Sequence, residues 1–246
     1  MSNETKEIIK KLQLEILRIQ QGVYHKGERI IIAIEGVDAS GKGGVIRKIT
    51  ENLDPRGFQV HPIGAPSSID QGKHYLYRFW KNLPAKGMIA LFDRSWYGRV
   101  LVERIEKLTP KPSWERAYTE INQFEKLLTD DGVKVIKICL KISKKEQLKR
   151  FEERLRDPYK QWKITDEDIR NRSKWIQYMN AYGDVFKKTS TKTCPWHVVD
   201  TDDKDEARIQ VLKIITEEGK DIKRWIEKNT KKMSLRELEQ SLSNLH

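Results

Sequence analysis

A chain of 246 residues is long enough for one large domain, and a hydrophobic content of 37% can form a core beneath a heavily charged surface. Basic residues outnumber acidic ones by 48 to 36, and the net charge of +12 favours an acidic partner: nucleic acid, an anionic membrane or a phosphorylated substrate. The two distant cysteines, Cys139 and Cys194, exclude a disulfide framework and a zinc site. No secretion signal opens the chain, and no apolar run approaches the roughly 20 residues of a membrane helix. We therefore expect a soluble, cytoplasmic protein with no membrane partner.

Short apolar runs alternate with amphipathic helical patterns along the chain. Strands are predicted at the apolar runs 29–35 and 88–92, and also at 59–62, 133–140 and 196–199. Helices are predicted where apolar residues recur at helical spacing, at 5–21, 42–53, 71–82, 114–128, 175–186 and 207–222. One more helix should begin at Ser143, which forms a capping-box pattern with Glu146. Strands that alternate with helices predict an α/β fold with a parallel sheet covered on both faces.

The chain divides into three predicted parts. Residues 1–28 form an N-terminal helical extension, 29–228 the main domain, and 229–246 a C-terminal tail. In the tail, Leu235, Leu238 and Leu242 are separated by mostly polar residues. This pattern fits either a loose segment or a small helix that packs on a partner.

A glycine-rich segment follows the first predicted strand and leads into a helix. Residues 36–42 fit the pattern G-x-x-x-x-G-K in the strand–loop–helix context that a phosphate-binding P-loop requires. Glycines let backbone N–H groups turn toward phosphate oxygens, and the helix N-terminus adds a partial positive charge. The predicted phosphate-binding positions of the loop are Gly36, Ala39, Ser40, Gly41, Gly43 and Gly44. Lys42 is expected to reach the transferred phosphate.

Two aspartates are the candidate metal ligands. The residue after a P-loop lysine is usually Ser or Thr, which binds magnesium, but here it is Gly43. Asp38 lies within the loop, and Asp93 ends an apolar strand, as a Walker B aspartate does. Both would lie at the carboxyl ends of strands, where open α/β sheets bind their ligands. Arg94 and Arg99 come directly after and are expected to face the phosphates.

Residues 144–163 form a basic region, with eight basic against four acidic residues. Arg150 and Arg154 are four positions apart and would share one helix face. Such a segment resembles the lid of nucleotide kinases, which closes over phosphates and excludes water, and we place the lid at about 144–175. The alternative is a solvated helix with intrahelical ion pairs.

Four ordered blocks of sequence resemble those of the family-2 polyphosphate kinases. The blocks lie at 36–44, 92–99, 157–163 and 195–200, and the last is followed by Lys204 and Arg208. The resemblance covers residues 5–227. Four blocks in the same order are far more specific than a P-loop alone.

The resemblance implies a P-loop kinase-like three-layer sandwich, similar to thymidylate kinase, with a central five-stranded parallel sheet and a helical lid. It implies transfer of a phosphoryl group between inorganic polyphosphate and adenine or guanine nucleotides, with Mg²⁺ as cofactor and Mn²⁺ as an alternative. It also implies a homo-oligomer, and no nucleic-acid partner is expected.

The resemblance also implies roles for single residues. Asp38 and Asp93 would bind the metal, and with Lys42 and Arg94 they are the expected catalytic residues. Further cations are expected to bind the phosphates or the nucleotide, and these are Lys73, Arg78, Arg99, Arg150, Arg154 and Lys160.

The sequence around residue 98 bears on the nucleotide acceptor. Many family members that make nucleoside triphosphates carry Asn where this chain has Gly98. Residues 97–104 look more like those of members that phosphorylate nucleoside monophosphates, which are often two fused domains, whereas one domain is expected here. We therefore expect conversion of AMP to ADP first and of ADP to ATP second, by direct in-line transfer without a phosphoenzyme.

Three other functions are compatible with parts of the sequence. An ATP-dependent nucleotide kinase would also need the P-loop and would make little use of long polyphosphate. A nucleic-acid-binding P-loop ATPase would account for the charge and would bind nucleic acid in a salt-dependent way, although no RRM, KH or helix-turn-helix pattern is present. A non-enzymatic nucleotide sensor would have little use for a basic lid.

Overall fold

The structure is a computed structural model that describes residues 1–229 and 235–245. Its five strands form one parallel sheet in the order β2-β3-β1-β4-β5. The strands are β1 (Arg29–Gly36), β2 (Phe58–Pro62), β3 (Met88–Asp93), β4 (Val133–Lys141) and β5 (Trp196–Asp200). Each strand lies where the sequence predicted it. The central strands β1, β3 and β4 are largely buried, as expected for apolar runs, whereas the edge strands β2 and β5 are more exposed.

Helices connect the strands and cover the sheet. In chain order they are α1 (Asn3–Lys26), α2 (Lys42–Thr50), α3 (Tyr77–Trp80), α4 (Val102–Ile105), α5 (Lys111–Asp130), α6 (Lys144–Arg156), α7 (Asp166–Ser173), α8 (Trp175–Thr189), α9 (Lys204–Glu218), α10 (Lys220–Asn229) and α11 (Leu235–Ser243). None of the helices within the described ranges has the length and apolar character needed to cross a membrane.

The sheet is buried on both faces, since successive side chains of a strand point to opposite sides. Ile30, Ile32 and Ile34 of β1 belong to an apolar cluster with α1, α2 and α9. Ile31 and Ala33 of the same strand belong to a second cluster, with α5 and α8. The resulting three-layer arrangement confirms the predicted α/β fold class.

Helix α1 packs into the core of the sheet domain. Its Ile9, Ile16 and Ile19 side chains are buried in the cluster that also contains α9 and α10. The side chain of Ser2 caps the start of the helix, and Gly27, with a φ of 71°, ends it. The helix ends at Lys26, two residues before the predicted boundary at residue 28, which stays a prediction.

Two predicted helices differ from the observed ones. Within 71–82 only Tyr77–Trp80 is helical, because Gly72 adopts a left-handed φ of 74°, which a helix cannot contain. The helix predicted at 207–222 begins earlier and is interrupted at Gly219, where a Cβ would lie 2.5 Å from Ile19 Cδ1.

The predicted capping box of α6 forms only in part. Ser143 Oγ accepts a hydrogen bond from the N–H of Glu146 at 3.1 Å, as expected. The Glu146 carboxylate instead accepts from Arg150 Nε at 3.0 Å. The N–H of Ser143 donates to Asp202 Oδ1 at 2.7 Å, so the helix start is tied to the loop after β5.

The predicted tail at 229–246 contains helix α11, and the expected packing of this helix on a partner stays a prediction. Residues 230–234 and His246 of this tail lie outside the described residues. Leu238 and Leu242 of α11 are exposed.

Candidate active site

The carboxyl ends of β1 and β3 bring the P-loop and Asp93 together. Ile34 lies beside Asp93 in the sheet register. The N–H of Arg94 donates to the carbonyl oxygen of Ile34 at 3.0 Å, which extends the strand pairing by one bond. The loop that begins at Gly36 therefore lies directly beside the end of β3.

The P-loop depends on backbone conformations that favour glycine. Gly41 has a φ of 103° and precedes the first residue of α2. A Cβ on Gly36 would lie 2.6 Å from both the carbonyl oxygen of Leu140 and Ser40 Oγ, so only glycine fits there. The loop thus leads into a helix N-terminus whose first N–H groups can bind an anion.

Lys42 folds back over the loop that precedes it. Its Nζ donates to the carbonyl oxygen of Gly36 at 2.7 Å and to that of Val37 at 3.3 Å. The ammonium group is thereby held at the rim of the loop.

Asp38 is the most constrained carboxylate of the site. Its Oδ1 accepts from Arg94 Nη2 at 2.9 Å, and its Oδ2 accepts from Asn171 Nδ2 at 2.8 Å. Burial alone would raise the pKa of Asp38, but the positive charges of Lys42 and Arg94 outweigh burial and lower that pKa. The carboxylate is therefore ionised at neutral pH.

Arg94 reaches Asp38 from a strained backbone. Its φ of 65° is unusual for a residue with a side chain. The next residue, Ser95, donates both its N–H and its Oγ–H to Glu35 Oε1, each at 2.7 Å. Glu35 is buried, and burial raises the pKa of its carboxyl group. Sequence reasoning missed the hydrogen bonds from Ser95 to Glu35, because Glu35 reads only as a polar residue near the end of an apolar strand.

The predicted catalytic residues share one cavity, which we call the loop cavity. It has a volume of about 620 Å³, and Thr165, Glu167 and Asp168 contribute to its wall from the 144–175 segment. The predicted site residues that line it are Asp38, Ala39, Gly41, Lys42, Gly43, Gly44, Asp93, Arg94 and Arg154. Gly36 lies behind the loop, in the wall of a smaller cavity of about 50 Å³.

A second cavity, the basic cavity, lies on the other side of the P-loop. Its volume is about 350 Å³, and Gly41, Gly44 and Arg154 line both it and the loop cavity. Six cationic side chains and one carboxylate, Glu153, line the basic cavity, the cations being Arg150, Arg154, Lys160, Lys163, Lys204 and Arg208. Ser40 also lines it, and within the described residues its buried Oγ has no hydrogen-bond partner.

Arg150, one of the two lid arginines predicted to bind phosphate, contacts the backbone of the P-loop. Its side chain is buried, Nη1 donates to the carbonyl oxygen of Ala39 at 3.0 Å, and Nη2 donates to the carbonyl oxygens of Thr201 and Asp202. Because backbone carbonyls take these donors, Arg150 ties the P-loop to the loop after β5. A sequence pattern cannot distinguish a buried arginine from an exposed one in a helix that is basic throughout.

A third cavity, the side cavity, contains the predicted acceptor-side residues. Lys73, Arg78 and Arg99 line its volume of about 310 Å³. Arg99 forms an ion pair with Glu103 at 2.9 Å and contacts the ring of Tyr75. Arg78 Nη2 donates to the carbonyl oxygen of Gly64 at 2.9 Å, and Lys73 Nζ lies 4.1 Å from the centre of the Tyr77 ring. Gly98 also lines this cavity.

The 144–175 segment contacts the P-loop through residues that sequence reasoning missed. Asn171 reaches the carboxylate of Asp38, and Gln147 Nε2 donates to its carbonyl oxygen at 2.9 Å. A usable signal was present, because Thr165 and Asp168 form a complete capping box that begins α7 and places Asn171 on its second turn.

The donor groups at the loop cavity fit a magnesium ion. Asp38 and Asp93 supply carboxylate oxygens, the ligands that Mg²⁺ prefers, and Mg²⁺ commonly takes one or two carboxylates together with substrate phosphates and water. The Asp93 carboxylate makes no hydrogen bond or ion pair with any other described residue. Nor do three or more His, Cys, Asp or Glu side chains within those ranges converge on a metal site. Such a site would thus be completed by the substrate.

The parallel sheet, the P-loop and the strand-end aspartate together define the P-loop kinase class of α/β proteins. The sequence profile of the Polyphosphate kinase 2 (PPK2) family matches residues 1–225, and the chain belongs to this family. The crystal structure of Polyphosphate Kinase 2 from Arthrobacter aurescens TC1 is similar, with a TM-score of 0.86 and 34% identity over 90% of this chain and 80% of that one.

Two relatives differ in the nucleotide that their names specify. The polyphosphate:AMP phosphotransferase of Pseudomonas aeruginosa is 50% identical over 76% of this chain and 38% of its own length. The ADP-polyphosphate phosphotransferase of the same organism is 40% identical over 82% of this chain and 66% of its own length. The chain spans between 38% and 40% of the length of three AMP phosphotransferases that it matches.

Proposed function

We propose that this chain transfers a phosphoryl group between inorganic polyphosphate and a nucleotide, with AMP as the first acceptor and ADP as the second. Membership of the Polyphosphate kinase 2 family supports the reaction class. The 50% identity to a polyphosphate:AMP phosphotransferase supports AMP as the preferred acceptor.

The observation that carries the proposal is the basic cavity beside the P-loop. The phosphates of one nucleotide can be neutralised by a P-loop, a lysine and one or two arginines. Five further cations, Arg154, Lys160, Lys163, Lys204 and Arg208, surround one carboxylate and suit a much longer phosphate chain, whereas the donors of Arg150 are taken by backbone carbonyls.

In this reaction the chain's own residues act mainly by orientation and charge. Lys42 and the N-terminus of α2 would bind the transferred phosphoryl group, and Arg94 would stabilise the charge that develops on its equatorial oxygens. A magnesium ion held by Asp38 and Asp93 would supply further charge neutralisation when bound. We expect direct in-line transfer from polyphosphate to the nucleotide, without a covalent enzyme intermediate.

The side cavity is the proposed acceptor site, and the 144–175 segment is the proposed lid. Lys73, Arg78 and Arg99 would bind the phosphate of the nucleotide. The lid would cover the loop cavity with Thr165 and Glu167 and exclude water during transfer. A homo-oligomeric state and a cytoplasmic location stay predictions.

The test is a direct assay of the purified chain. Long-chain polyphosphate and magnesium are mixed with AMP, with ADP, or with ATP plus AMP, and the nucleotides are separated by ion-exchange chromatography. We expect ADP to form from AMP and polyphosphate faster than ATP forms from ADP. Transfer from ATP alone, with polyphosphate inert, would contradict the proposal and favour an ordinary nucleotide kinase.

A further inference from the structure

Asn171, in the proposed lid, donates a hydrogen bond to Asp38, and the proposed transfer would not by itself require this contact. Asn171 lies 133 residues further along the chain, and its Nδ2 donates to Asp38 Oδ2 at 2.8 Å. Asn171 is only 8% exposed, so water competes little for this hydrogen bond. Hydrogen bonds to an ionised group are the stronger kind, and this one constrains the oxygen that Arg94 leaves free.

The Asp38 carboxylate, which can only accept, determines which way the amide of Asn171 points, and Tyr178 supports that orientation. Tyr178 Oη donates to Asn171 Oδ1 at 3.2 Å, and its ring is 7% exposed. A flipped amide would set its NH₂ group against the tyrosine hydroxyl and its oxygen against the carboxylate of Asp38. The observed orientation, with a donor facing Asp38, is therefore the favourable one.

A second contact holds the backbone of the same residue. Gln147 of α6 donates to the carbonyl oxygen of Asp38 at 2.9 Å. Arg172 of α7 in turn donates to Gln147 Oε1 at 2.9 Å and to the carbonyl oxygen of Lys144 at 2.7 Å. Two helices of the lid thus hold Asp38 at its carbonyl and at its carboxylate.

We propose that Asn171 is a positioning residue, which fixes the Asp38 carboxylate while the lid lies against the P-loop. This inference rests on the proposed phosphoryl transfer, because Asp38 needs a fixed orientation only if it takes part in that reaction. Arg94 alone leaves the carboxylate free to rotate about the single hydrogen bond, and the second bond from Asn171 removes that freedom. Alignment of the catalytic group is thereby coupled to the position of the lid.

The experiment compares Asn171→Ala and Tyr178→Phe with a matched control, Asn180→Ala, whose side chain is exposed on α8. Steady-state rates are measured with polyphosphate, AMP and magnesium. Hydrogen–deuterium exchange is followed in peptides that cover the P-loop (36–44) and α8. Asn171→Ala should lower kcat about tenfold or more and change either KM less than about twofold, since the loss is one of alignment. Exchange should accelerate at 36–44 and stay unchanged in α8.

Tyr178→Phe removes a single hydroxyl group and keeps the packing, so it carries the test if Asn171→Ala does not fold. It should shift kcat and exchange at 36–44 in the same direction by a smaller factor, while Asn180→Ala behaves as wild type. A kcat within about twofold of the control, or unchanged exchange at 36–44, would overturn the proposal. If the wild-type chain does not use polyphosphate, the proposed function fails, and the exchange data alone then decide whether Asn171 constrains the loop.

Discussion

At the scale of single residues, the site is built from backbone conformations that its side chains do not favour. Ala39 and Arg94 have φ values of 60° and 65°, and each costs about 1 kcal/mol or more relative to an ordinary conformation. The hydrogen bonds from Ser95 to Glu35 help to offset this cost on the β3 side. Strain that persists beside Asp38 and Asp93 is typical of positions where orientation matters more than stability.

Asp93 is the residue whose removal should separate catalysis from folding. The change Asp93→Asn keeps the shape and removes the charge, so a metal-assisted transfer should slow about 100-fold or more. The melting temperature should change little, because the Asp93 carboxylate makes no ion pair with another described residue. The rate of ADP formation and the thermal unfolding curve measure the two effects. Asp221→Asn, an exposed change on α10, is the control. An active, magnesium-dependent Asp93→Asn enzyme would remove Asp93 from the site.

At the scale of elements, a buried ion pair connects α5 to β4 beneath the turn that follows Asp93. Lys137 Nζ donates to Glu125 Oε2 at 2.7 Å, and both side chains are almost fully buried. Trp96 Nε1 and Tyr97 Oη both donate to Glu125 Oε1, at 3.0 and 2.7 Å. Burial raises the pKa of Glu125 and lowers that of Lys137, and their mutual attraction opposes both shifts. The pair therefore supports the turn that follows Asp93 from below.

Removal of one partner of this pair should destabilise the fold. Lys137→Met should lower the free energy of unfolding by about 3–5 kcal/mol, because the Glu125 carboxylate would remain buried without a counter-charge. The double variant Lys137→Met/Glu125→Leu should be more stable than this single variant. Urea unfolding followed by circular dichroism measures both. The exposed pair Lys126–Asp130 provides the control, and Lys126→Met should have little effect. Equal losses at the two pairs would show that Glu125 does not depend on Lys137.

At the scale of the whole molecule, the net charge of +12 is spread unevenly, and the basic cavity concentrates part of it beside the P-loop. Lys163→Gln/Lys204→Gln should raise the KM for polyphosphate about tenfold and weaken its dependence on salt, because nearby cations act within a Debye length of roughly 8–10 Å. Lys6→Gln/Lys11→Gln on the exposed side of α1 changes the net charge equally and should leave that KM nearly constant. Steady-state kinetics between low and high KCl measure both variants. An equal effect of the two pairs would mean that overall charge, and not the cavity, attracts the polyanion.

Local pattern was sufficient for most of the architecture. The five strands, the long helices and the P-loop are each encoded by contiguous residues, through apolar periodicity or through the spacing of glycine and lysine. Local pattern failed at 71–82, where the apolar spacing resembles a helix but Gly72 and the surrounding turns break it. It also failed at Glu146, whose carboxylate pairs with Arg150 and leaves the capping box incomplete.

The sequence by itself determined the fold class, the P-loop and the proximity of Asp38 to Asp93, because adjacent parallel strands bring their carboxyl ends to one edge. Only the tertiary structure decided which side chains surround that edge. The contact from Asn171 to Asp38 and the placement of Arg150 beneath the loop join residues more than 100 positions apart. Such contacts depend on how α6 and α7 pack against the sheet, and a periodicity of two or of 3.6 residues carries no information about that packing.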